Sequence, residues 1–401
     1  MKVGDLFKII KGKKVKEVYF EKKDGLVRYI QIDDLRSDDQ IKYTNNDPNY
    51  VFCSEDDLVI AWDGANAGTI GFGLSGVIGS TLAVLKKKDS SIKFDTGYVG
   101  RFMKTKSAYL REKCTGATIP HIQKGILENI EIPLPPLHIQ KQIAQVLDEA
   151  DALIQKRKLA IAKLDELVQS VFLEMFGDPV SNPKAWKLEK LKKLGTLGRG
   201  VSKHRPRNDP KLLGGKYPLV QTGDVARSGI YLYEYNQTYS ELGLRQSKMW
   251  PKGTLCITIA ANIADASILT FDACFPDSVV GFIPERELTN CEYIYCWISH
   301  LKRYIEEKAP QVAQKNINLT ILSDLDVPVP PINLQNQFAM IVSQIESQKH
   351  HMQKQLAKLE ENFNALLQRA FKGELQFRQA GEWDAPQRGF SEAVSAVEVH
   401  S

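Results

Sequence analysis

The side chains with the clearest chemical potential in this chain are cations grouped in short segments. Residues 184–207 hold nine Lys or Arg residues and a single acid, Glu189. The segment ends in a loop bounded by helix breakers, where the candidate residues are Lys203, His204, Arg205 and Arg207. A second group lies near the N-terminus and consists of Lys11, Lys13, Lys14 and Lys16. Cations on loops neutralise phosphates and release counterions, which predicts contact with DNA. The alternative is an ordinary solvated loop.

Short polar side chains near the same segments have the chemistry needed to read bases. Asn and Gln pair with adenine edges and Arg with guanine, provided that a rigid frame aims them. Candidates that follow predicted strands or occupy turns are Asn66, Thr222, Asp224, Asn262, Gln314, Lys315 and Asn316. The alternative for each is an ordinary turn residue or helix cap. Four tyrosines could stack on bases, although their alternation is also typical of a half-buried strand: Tyr231, Tyr233, Tyr235 and Tyr239.

The sequence lacks the common motifs of catalysis and metal binding. It contains no P-loop, no H-E-x-x-H and no G-x-S-x-G. The His and Cys residues do not have metal-ligand spacing, so no metal site is predicted. The six cysteines are expected to be free thiols in a reducing compartment. Asp47-Pro48-Asn49-Tyr50 approaches the signature of amino-methyltransferases but lacks its second proline. We therefore do not expect the chain to be catalytic.

Two stretches of the sequence repeat each other at a constant shift of 195 residues, the offset from Pro133 to Pro328. Pro133-Leu134-Pro135-Pro136 corresponds to Pro328-Val329-Pro330-Pro331 without a gap. Further matched pairs are Gln140 with Gln335, Gln142 with Gln337, Ala162-Lys163-Leu164 with Ala357-Lys358-Leu359, and Phe176 with Phe371. A helical pattern from Tyr98 to Leu110 matches Tyr293 to Ile305 at the same shift. An ungapped duplication of this length predicts two copies of one structural plan.

Each copy continues into a long helical pattern with one apolar stripe. Apolar residues recur at a mean spacing of about 3.5, the coiled-coil period. The predicted seam consists of Ile143, Leu147, Ile154, Ile161, Leu164 and Val168 in the first helix, and of Phe338, Val342, Ile345, Met352, Leu356 and Leu359 in the second. One polar residue interrupts each stripe, Arg157 and Lys349. The globular segment between the helices predicts that they pair antiparallel. The alternative is two unrelated helices, each packed on its own domain.

These patterns predict globular domains that alternate with helices. The predicted fold class is α+β: two mixed α/β domains joined by two long helices that form an antiparallel coiled coil, a pseudo-twofold internal repeat. The predicted bounds are 1–132 for the first domain, 133–180 for the first helix, 181–327 for the second domain, 328–375 for the second helix and 376–401 for a loosely ordered tail. Leu58-Val59-Ile60 and Leu82-Ala83-Val84-Leu85 are predicted strands.

Composition is that of an ordinary folded protein. Charged residues make up 25% and hydrophobic residues 43% of the chain. The net charge of +5 is compatible with nucleic acid as a partner. The N-terminus lacks the apolar run of a signal peptide, and no run of about 18 apolar residues is present. The cytoplasm is therefore the expected location.

The plan resembles the specificity (S) subunit of Type I restriction–modification systems over nearly the whole chain. The resemblance is carried by the two P-x-P-P segments with their following glutamines, and by three stretches of the second domain: Tyr217 to Val225, Trp250 to Leu255 and Phe275 to Phe282. In that family a Glu usually precedes the first Gln, where this chain has Ile139 and Leu334.

The resemblance implies that the two mixed α/β domains are target-recognition domains, that each reads one half of a split site in double-stranded DNA, and that the coiled coil sets the spacer. It also implies that this chain binds no cofactor. Two modification subunits would dock on the coiled coil and methylate adenine with S-adenosylmethionine, and two restriction subunits would use ATP and Mg. Two other interpretations stay open: a coiled-coil scaffold whose domains bind proteins, and a stand-alone adenine methylase, which needs a cofactor site that the sequence lacks.

Overall fold

The computed structural model describes residues 1–89, 91–116, 118–259, 265–308 and 318–375. The predicted tail, residues 376–401, lies outside the described residues. The chain divides into two compact units. Unit 1 comprises Met1–Gln155 and the described residues from Ala357 onward, and unit 2 comprises Lys156–Leu356. Each unit is a mixed α/β body, as predicted, and each contains part of both long helices.

Unit 1 is built from short strands and helices that precede the first long helix. Its strands are β1 (Phe7–Lys11), β2 (Leu26–Ile30), β3 (Lys42–Asn45), β4 (Phe52–Cys53), β5 (Leu58–Ala61), β6 (Ile70–Phe72), β7 (Gly76–Ile78) and β8 (Leu82–Lys87). Its helices are α1 (Val3–Leu6), α2 (Thr96–Thr105), α3 (Ser107–Glu112), α4 (Lys124–Glu128) and the first part of α5 (Leu137–Phe176). The strands form one sheet of order β1-β8-β5-β6 and another of order β3-β2-β7-β4.

Both predicted strands of unit 1 are confirmed as β5 and β8. Every residue of β5 is buried, as is typical of a strand covered on both faces. The predicted helix from Tyr98 to Leu110 is found as two helices, because the chain turns at Lys106 between α2 and α3. Asp95 caps α2 by accepting a hydrogen bond from the Tyr98 N–H at 2.8 Å.

Unit 2 repeats this construction with more elements. Its strands are β9 (Lys187–Lys190), β10 (Gly195–Arg199), β11 (Leu213–Leu219), β12 (Tyr231–Leu232), β13 (Gln237–Tyr239), β14 (Met249–Trp250), β15 (Leu255–Thr258), β16 (Ala266–Leu269), β17 (Ala273–Cys274), β18 (Val279–Pro284) and β19 (Asp326–Val329). Its helices are α6 (Thr222–Arg227), α7 (Glu241–Arg245), α8 (Cys291–Lys308), α9 (Leu319–Ser323) and the first part of α10 (Ile332–Phe371). The sheets have the orders β10-β18-β15-β16-β12, β13-β11-β17-β14 and β19-β9.

The two units share one strand topology. In unit 1, β8 lies between β1 and β5 and is antiparallel to both. In unit 2, β18 lies between β10 and β15 in the same way. The second sheets also correspond, because β2 pairs antiparallel with β3 and parallel with β7, as β11 pairs with β13 and β17. The matched strands therefore pair in the same way in both units, and unit 2 adds β12 next to β16 and the β19-β9 pair.

The proline segments are tied to their units by the same hydrogen bonds in both copies. A Gln amide and a Tyr hydroxyl each donate to a carbonyl of the segment. The pairs are Gln140 to Pro135 (2.7 Å) and Tyr98 to Pro133 (3.0 Å) in unit 1, and Gln335 to Pro330 (2.8 Å) and Tyr293 to Pro328 (2.5 Å) in unit 2. Both glutamines are buried, so these bonds satisfy groups that water cannot reach.

Both long helices have the same length and the same kind of end. Each contains 40 residues, and each lies inside its predicted range. The helix α5 ends at Phe176 because Gly177 follows with a φ of +80°, a conformation that favours glycine. Gly373 has a φ of +75° two residues after α10. The predicted stop after Phe176 is therefore found where the Gly-Asp-Pro segment begins.

Every predicted seam residue is buried or half-buried in the unit to which it belongs. In unit 1, Ile143 and Leu147 join a core that also contains Ala370. In unit 2, the Phe172 and Phe338 rings lie 5.6 Å apart, between centroids. Both polar interruptions have partners on the other helix in unit 2. Arg157 donates to the Gln355 side chain, and Lys349 pairs with Asp165.

Candidate nucleic-acid interface

The candidate residues of unit 1 lie at one edge of a sheet, the edge where strands β1 and β5 end. Lys11, the last residue of β1, lies opposite Ala83, and Ala61 of β5 lies opposite Leu82. The loops that follow β1 and β5, residues 12–25 and 62–69, therefore start side by side. The Lys11 ammonium lies 2.7 Å from a carboxylate oxygen of Asp63 and links the two loops. We call this edge, with its two loops, loop edge 1.

Within loop edge 1 the predicted residues have different surroundings. Lys13 donates to the Asn49 carbonyl at 2.9 Å, whereas the Lys14 side chain is exposed. Asn66 accepts a hydrogen bond from Arg36 at 2.6 Å, so its amide holds a guanidinium at this edge. Arg36 has the planar donors that read guanine, and the sequence analysis missed it because it lies 30 residues before Asn66.

Asp47-Pro48-Asn49-Tyr50, the segment resembling a methyltransferase signature, forms a turn. Asp47 accepts hydrogen bonds from both the backbone and the side-chain nitrogen of Asn49, at 2.8 and 2.9 Å. The bond from the Asn49 N–H holds the pKa of the Asp47 carboxyl below its usual value. The Tyr50 hydroxyl accepts from the Lys16 N–H at 3.0 Å. These contacts describe a scaffold for the basic loop that precedes them.

Unit 2 presents its cationic candidates at the equivalent edge. Arg199 at the end of β10 lies opposite Val280, and Thr258 at the end of β15 lies opposite Val279. The loop after β10, residues 200–212, contains Lys203, His204, Arg205 and Arg207. We call this edge, with that loop, loop edge 2. The loop after β15 contains the predicted Asn262, which lies outside the described residues, as do Gln314, Lys315 and Asn316.

The basic loop of loop edge 2 is held in place by residues from other elements. The Gln246 side-chain oxygen accepts from the backbone N–H groups of Lys203 and His204, at 2.6 and 3.0 Å. Asp277 lies 2.5 Å from Arg207 and 3.6 Å from Arg205. The side chains of Lys203, Arg205 and Arg207 are still accessible, and Asp277 keeps the two guanidiniums close together. Neither Gln246 nor Asp277 was predicted, because they lie 34 and 65 residues after the end of the loop at residue 212.

Asp209 closes the other end of this loop. Its carboxylate accepts from the Lys211 N–H and lies 3.1 Å from His204. The pKa of the Asp209 carboxyl is lowered, chiefly by the hydrogen bond from that backbone N–H. Asp209 therefore stays ionised and orients the His204 ring.

For Asp224 the geometry matches the alternative of a helix cap. Its carboxylate is buried and accepts from the Gln221 N–H at 2.9 Å, from Arg227 at 2.9 Å and from Asn236 at 2.6 Å. A carboxylate engaged in this way orders the start of α6 rather than facing a base. Thr222, the first residue of α6, is half-buried.

The tyrosines divide between the core and the surface. Tyr239 is buried, and Tyr231 donates its hydroxyl to Glu292 at 2.9 Å. Burial raises the pKa of Tyr231. Tyr233 and Tyr235 are 45% and 41% exposed, after the end of β12. The Tyr233 ring stacks on His350, with centroids 5.0 Å apart, so the face that a base could use is the one away from His350.

The described residues contain no cluster of three or more His, Cys, Asp or Glu side chains that could hold a metal ion. Within the same residues, every helix is too short or too polar to cross a bilayer.

The fold and the loops define a protein with two sheet domains of one topology, each presenting cations at the same sheet edge, and two long helices. The chain belongs to the Type I restriction modification DNA specificity domain family, whose model matches residues 1–163 and 183–361.

Two known relatives are specificity subunits of type I restriction enzymes. The specificity subunit of the type I restriction enzyme MjaVIII of Methanocaldococcus jannaschii is 27% identical over 86% of this chain and 85% of its own length. The EcoBI specificity subunit of Escherichia coli is 22% identical over 88% and 81%.

Solved structures share the fold. The crystal structure of the type I S subunit from M. genitalium matches with a TM-score of 0.57 at 16% identity, over 92% of this chain and 95% of that one. A chain from work on complex assembly and conformational transition of a type I R-M system matches with a TM-score of 0.55 at 15% identity, over 94% and 97%.

Proposed function

We propose that this chain is the non-catalytic subunit that gives a Type I restriction–modification complex its DNA specificity. It reads a bipartite target, with one half-site for each unit. The observation that carries this proposal is the shared topology: two like frames present cationic loops at the same sheet edge, yet with different side chains. Loop edge 1 carries lysines with Arg36 and Asn66, whereas loop edge 2 carries Arg205 and Arg207 beside Lys203. Like frames with unlike loops suit two different half-sites.

The two long helices would form the antiparallel coiled coil that sets the spacer between the half-sites. Contacts inside unit 2 support this. The residue numbers of the contacts on α10 decrease as those on α5 increase, which is the order expected of antiparallel helices. Arg157 meets Gln355, Asp165 meets Lys349, and Phe172 meets Phe338. Within unit 1, Asp151 of α5 and Asn364 of α10 line one cavity of about 550 Å³. This pair continues the same antiparallel order.

The same helices would dock two modification subunits and two restriction subunits. Large apolar side chains on the outer face of α5 support this: in unit 2, Leu159, Leu167 and Leu173 are 58%, 45% and 41% exposed. The chemistry would then belong to the partners. S-adenosylmethionine would serve the modification subunits, and ATP with Mg would serve the restriction subunits.

The proposal is tested by mapping DNA methylation in cells that express this chain with a Type I modification subunit. We expect a split motif with a methylated adenine in each half, absent when this chain is omitted. A stable complex that methylates no motif would contradict the proposal and favour the alternative, a coiled-coil scaffold whose domains bind proteins. A purified chain that binds S-adenosylmethionine alone would instead favour a stand-alone methylase.

A further inference from the structure

Phe20 in unit 1 has an exposure that its fold does not explain. Its side chain is 77% exposed, more than any other large apolar side chain among the described residues. Val18, on the same segment, is 40% exposed. Both lie in the loop of residues 12–25 that starts at loop edge 1. A single exposed apolar residue is ordinary, so it is the exposed pair of Val18 and Phe20 on one segment that points to a contact outside the chain.

The backbone beside Phe20 is fixed on the sheet. Tyr19 and Tyr43 exchange backbone hydrogen bonds of 2.9 and 2.8 Å, which extends the sheet by one bridge at β3. The Thr44 hydroxyl donates to the Glu17 carbonyl at 2.8 Å. Val15 is buried in a small core with Tyr29. Phe20 follows directly after the bridge, so the ring projects from an anchored position.

The surroundings of the ring are cationic. Residues 12–25 contain five lysines, Lys13, Lys14, Lys16, Lys22 and Lys23, against the three acids Glu17, Glu21 and Asp24. Glu17 is occupied, since it accepts from the Tyr19 hydroxyl at 2.5 Å and from Asn45 at 3.0 Å. In the described part of the chain, Lys14, Lys22 and Lys23 form no ion pair. A ring among unpaired lysines is poorly suited to an apolar protein surface and well suited to a polyanion that also offers flat apolar faces.

We propose that Phe20 is a wedge that inserts between two base pairs of the half-site bound by unit 1. The inference rests on the proposed function, and it adds a residue that deforms DNA. Apolar side chains inserted at a base step partly unstack it and kink the duplex. The flanking lysines would hold the phosphates on either side. The loop of residues 200–212 at loop edge 2 contains no Phe, Tyr or Trp, so it offers no aromatic wedge of this kind.

The test uses the full chain assembled with its modification subunits. The probe is a duplex that carries the mapped bipartite motif, with 2-aminopurine placed at single positions of either half-site that are neither the methylated adenine nor next to it, because a base extruded for methylation also leaves the stack. Unstacking raises the fluorescence of this base. The wild-type complex should brighten the probe at one step of the first half-site, and Phe20→Ala should abolish that signal and weaken binding about tenfold or more, the scale of one lost stacking contact. Phe20→Leu should keep most of the signal.

The matched control is Leu288→Ala. Leu288 is 43% exposed and follows β18 at the edge of its sheet opposite loop edge 2. This variant should bind and brighten the probe like the wild type. Because a wedge makes no phosphate contact, the salt dependence of Phe20→Ala binding should equal that of the wild type.

Two results would overturn the wedge but not the proposed function. In the first, the Phe20→Ala variant binds and brightens the probe like the wild type. In the second, it loses the modification subunits while DNA binding is intact, which would make Phe20 a protein contact. Failure of the wild-type complex to bind the mapped duplex is a different result, because it overturns the proposed function itself.

Discussion

Gln335 and Pro330 are joined by a hydrogen bond of 2.8 Å from the glutamine amide to the proline carbonyl. The Gln335 side chain is completely buried, and it also donates to the Leu288 carbonyl and accepts from the Thr289 hydroxyl. One side chain therefore ties the proline segment that precedes α10 to the turn that precedes α8. Gln140 makes the corresponding bond to Pro135 in unit 1. This explains in physical terms why proline segment and glutamine recur together.

We predict that Gln335→Ala lowers the free energy of unfolding of unit 2 by about 2–4 kcal/mol. The substitution leaves the buried Pro330 carbonyl without its donor and the buried Thr289 hydroxyl without its acceptor, at about 1–3 kcal/mol for each unsatisfied group. The control is Gln337→Ala, two residues later on the exposed face of α10, which should change stability by less than about 0.5 kcal/mol. Urea denaturation of both variants measures the difference. Equal midpoints would contradict the structural role of Gln335.

Lys349 is buried between two carboxylates. Its ammonium pairs with Asp165 on α5 and lies 3.5 Å from Glu346, whose side chain is 6% exposed. We predict that Lys349→Leu destabilises unit 2 by about 2–4 kcal/mol, because it leaves the buried Glu346 without a counter-charge. Thermal and urea denaturation measure the loss.

The double variant Lys349→Leu with Glu346→Leu is the control for this assignment. Replacing a buried ion pair with apolar residues of similar volume is often neutral or stabilising. The double variant should therefore recover most of the stability that Lys349→Leu loses. If both variants are equally unstable, packing rather than charge accounts for the effect.

His300 makes unit 2 sensitive to acid. Its ring is buried against Phe172, with centroids 5.0 Å apart, and burial lowers the pKa of His300 to about 4. The nearby Arg303 acts in the same direction. Since an unfolded histidine titrates near pH 6.5, the unfolded state binds more protons between pH 6.5 and 4. The stability of unit 2 should therefore fall as the pH drops through that window, by at most about 3 kcal/mol from this residue.

We predict that His300→Phe flattens this pH dependence. The measurement is urea denaturation at several pH values between 7 and 4. His138→Phe, at an exposed position of α5, is the matched control and should keep the wild-type profile. A His300→Phe variant as acid-sensitive as the wild type would assign the effect to other groups.

Loop edge 2 should supply binding energy that depends strongly on salt, because its three cations can neutralise phosphates. We predict that Lys203→Ala, Arg205→Ala and Arg207→Ala together weaken binding to every duplex, and that the slope of log K against log salt falls by up to about 2.7. The control removes equal charge from Lys187, Lys190 and Lys192, which lie in or directly after β9, outside this loop. Fluorescence anisotropy at several salt concentrations gives both slopes. Unchanged slopes in the loop variant would favour the scaffold alternative.

The sequence predicted the elements whose signal is local and long. The two helices fell inside their predicted ranges because a heptad pattern over many turns leaves little ambiguity. The second sheet of each unit was not predicted, because strands such as Phe52–Cys53 and Met249–Trp250 are too short to show alternation.

The candidate interface was likewise predicted only where its signal is local in sequence. Cationic loops were predicted from local charge, whereas Gln246 and Asp277 hold one of them from distant positions in the chain. Asp224 had a local signal that favoured a cap, since Gln221-x-x-Asp224 has the spacing of a capping box. Phe20 stands in a lysine-rich stretch, but only the structure shows that its ring is exposed.

The last prediction concerns the length of the helices. We expect that seven residues inserted after Gln155, together with seven after Leu356, lengthen the spacer of the methylated motif by about three base pairs. One heptad in each helix preserves the seam and adds about 10.5 Å at 1.5 Å per residue, against about 3.4 Å per base pair. Both insertions fall where the helices pass from one unit to the other, so the recognition loops are unchanged.

The control is the same insertion in α5 alone, which puts the two seams out of register and should lower stability without giving a new spacer. Methylation mapping of the double insertion measures the spacer. The comparison with the wild type is valid only when both half-sites are still methylated. If the half-sites are methylated at the original spacing, the helices do not set the spacer and the coiled-coil part of the proposal is wrong.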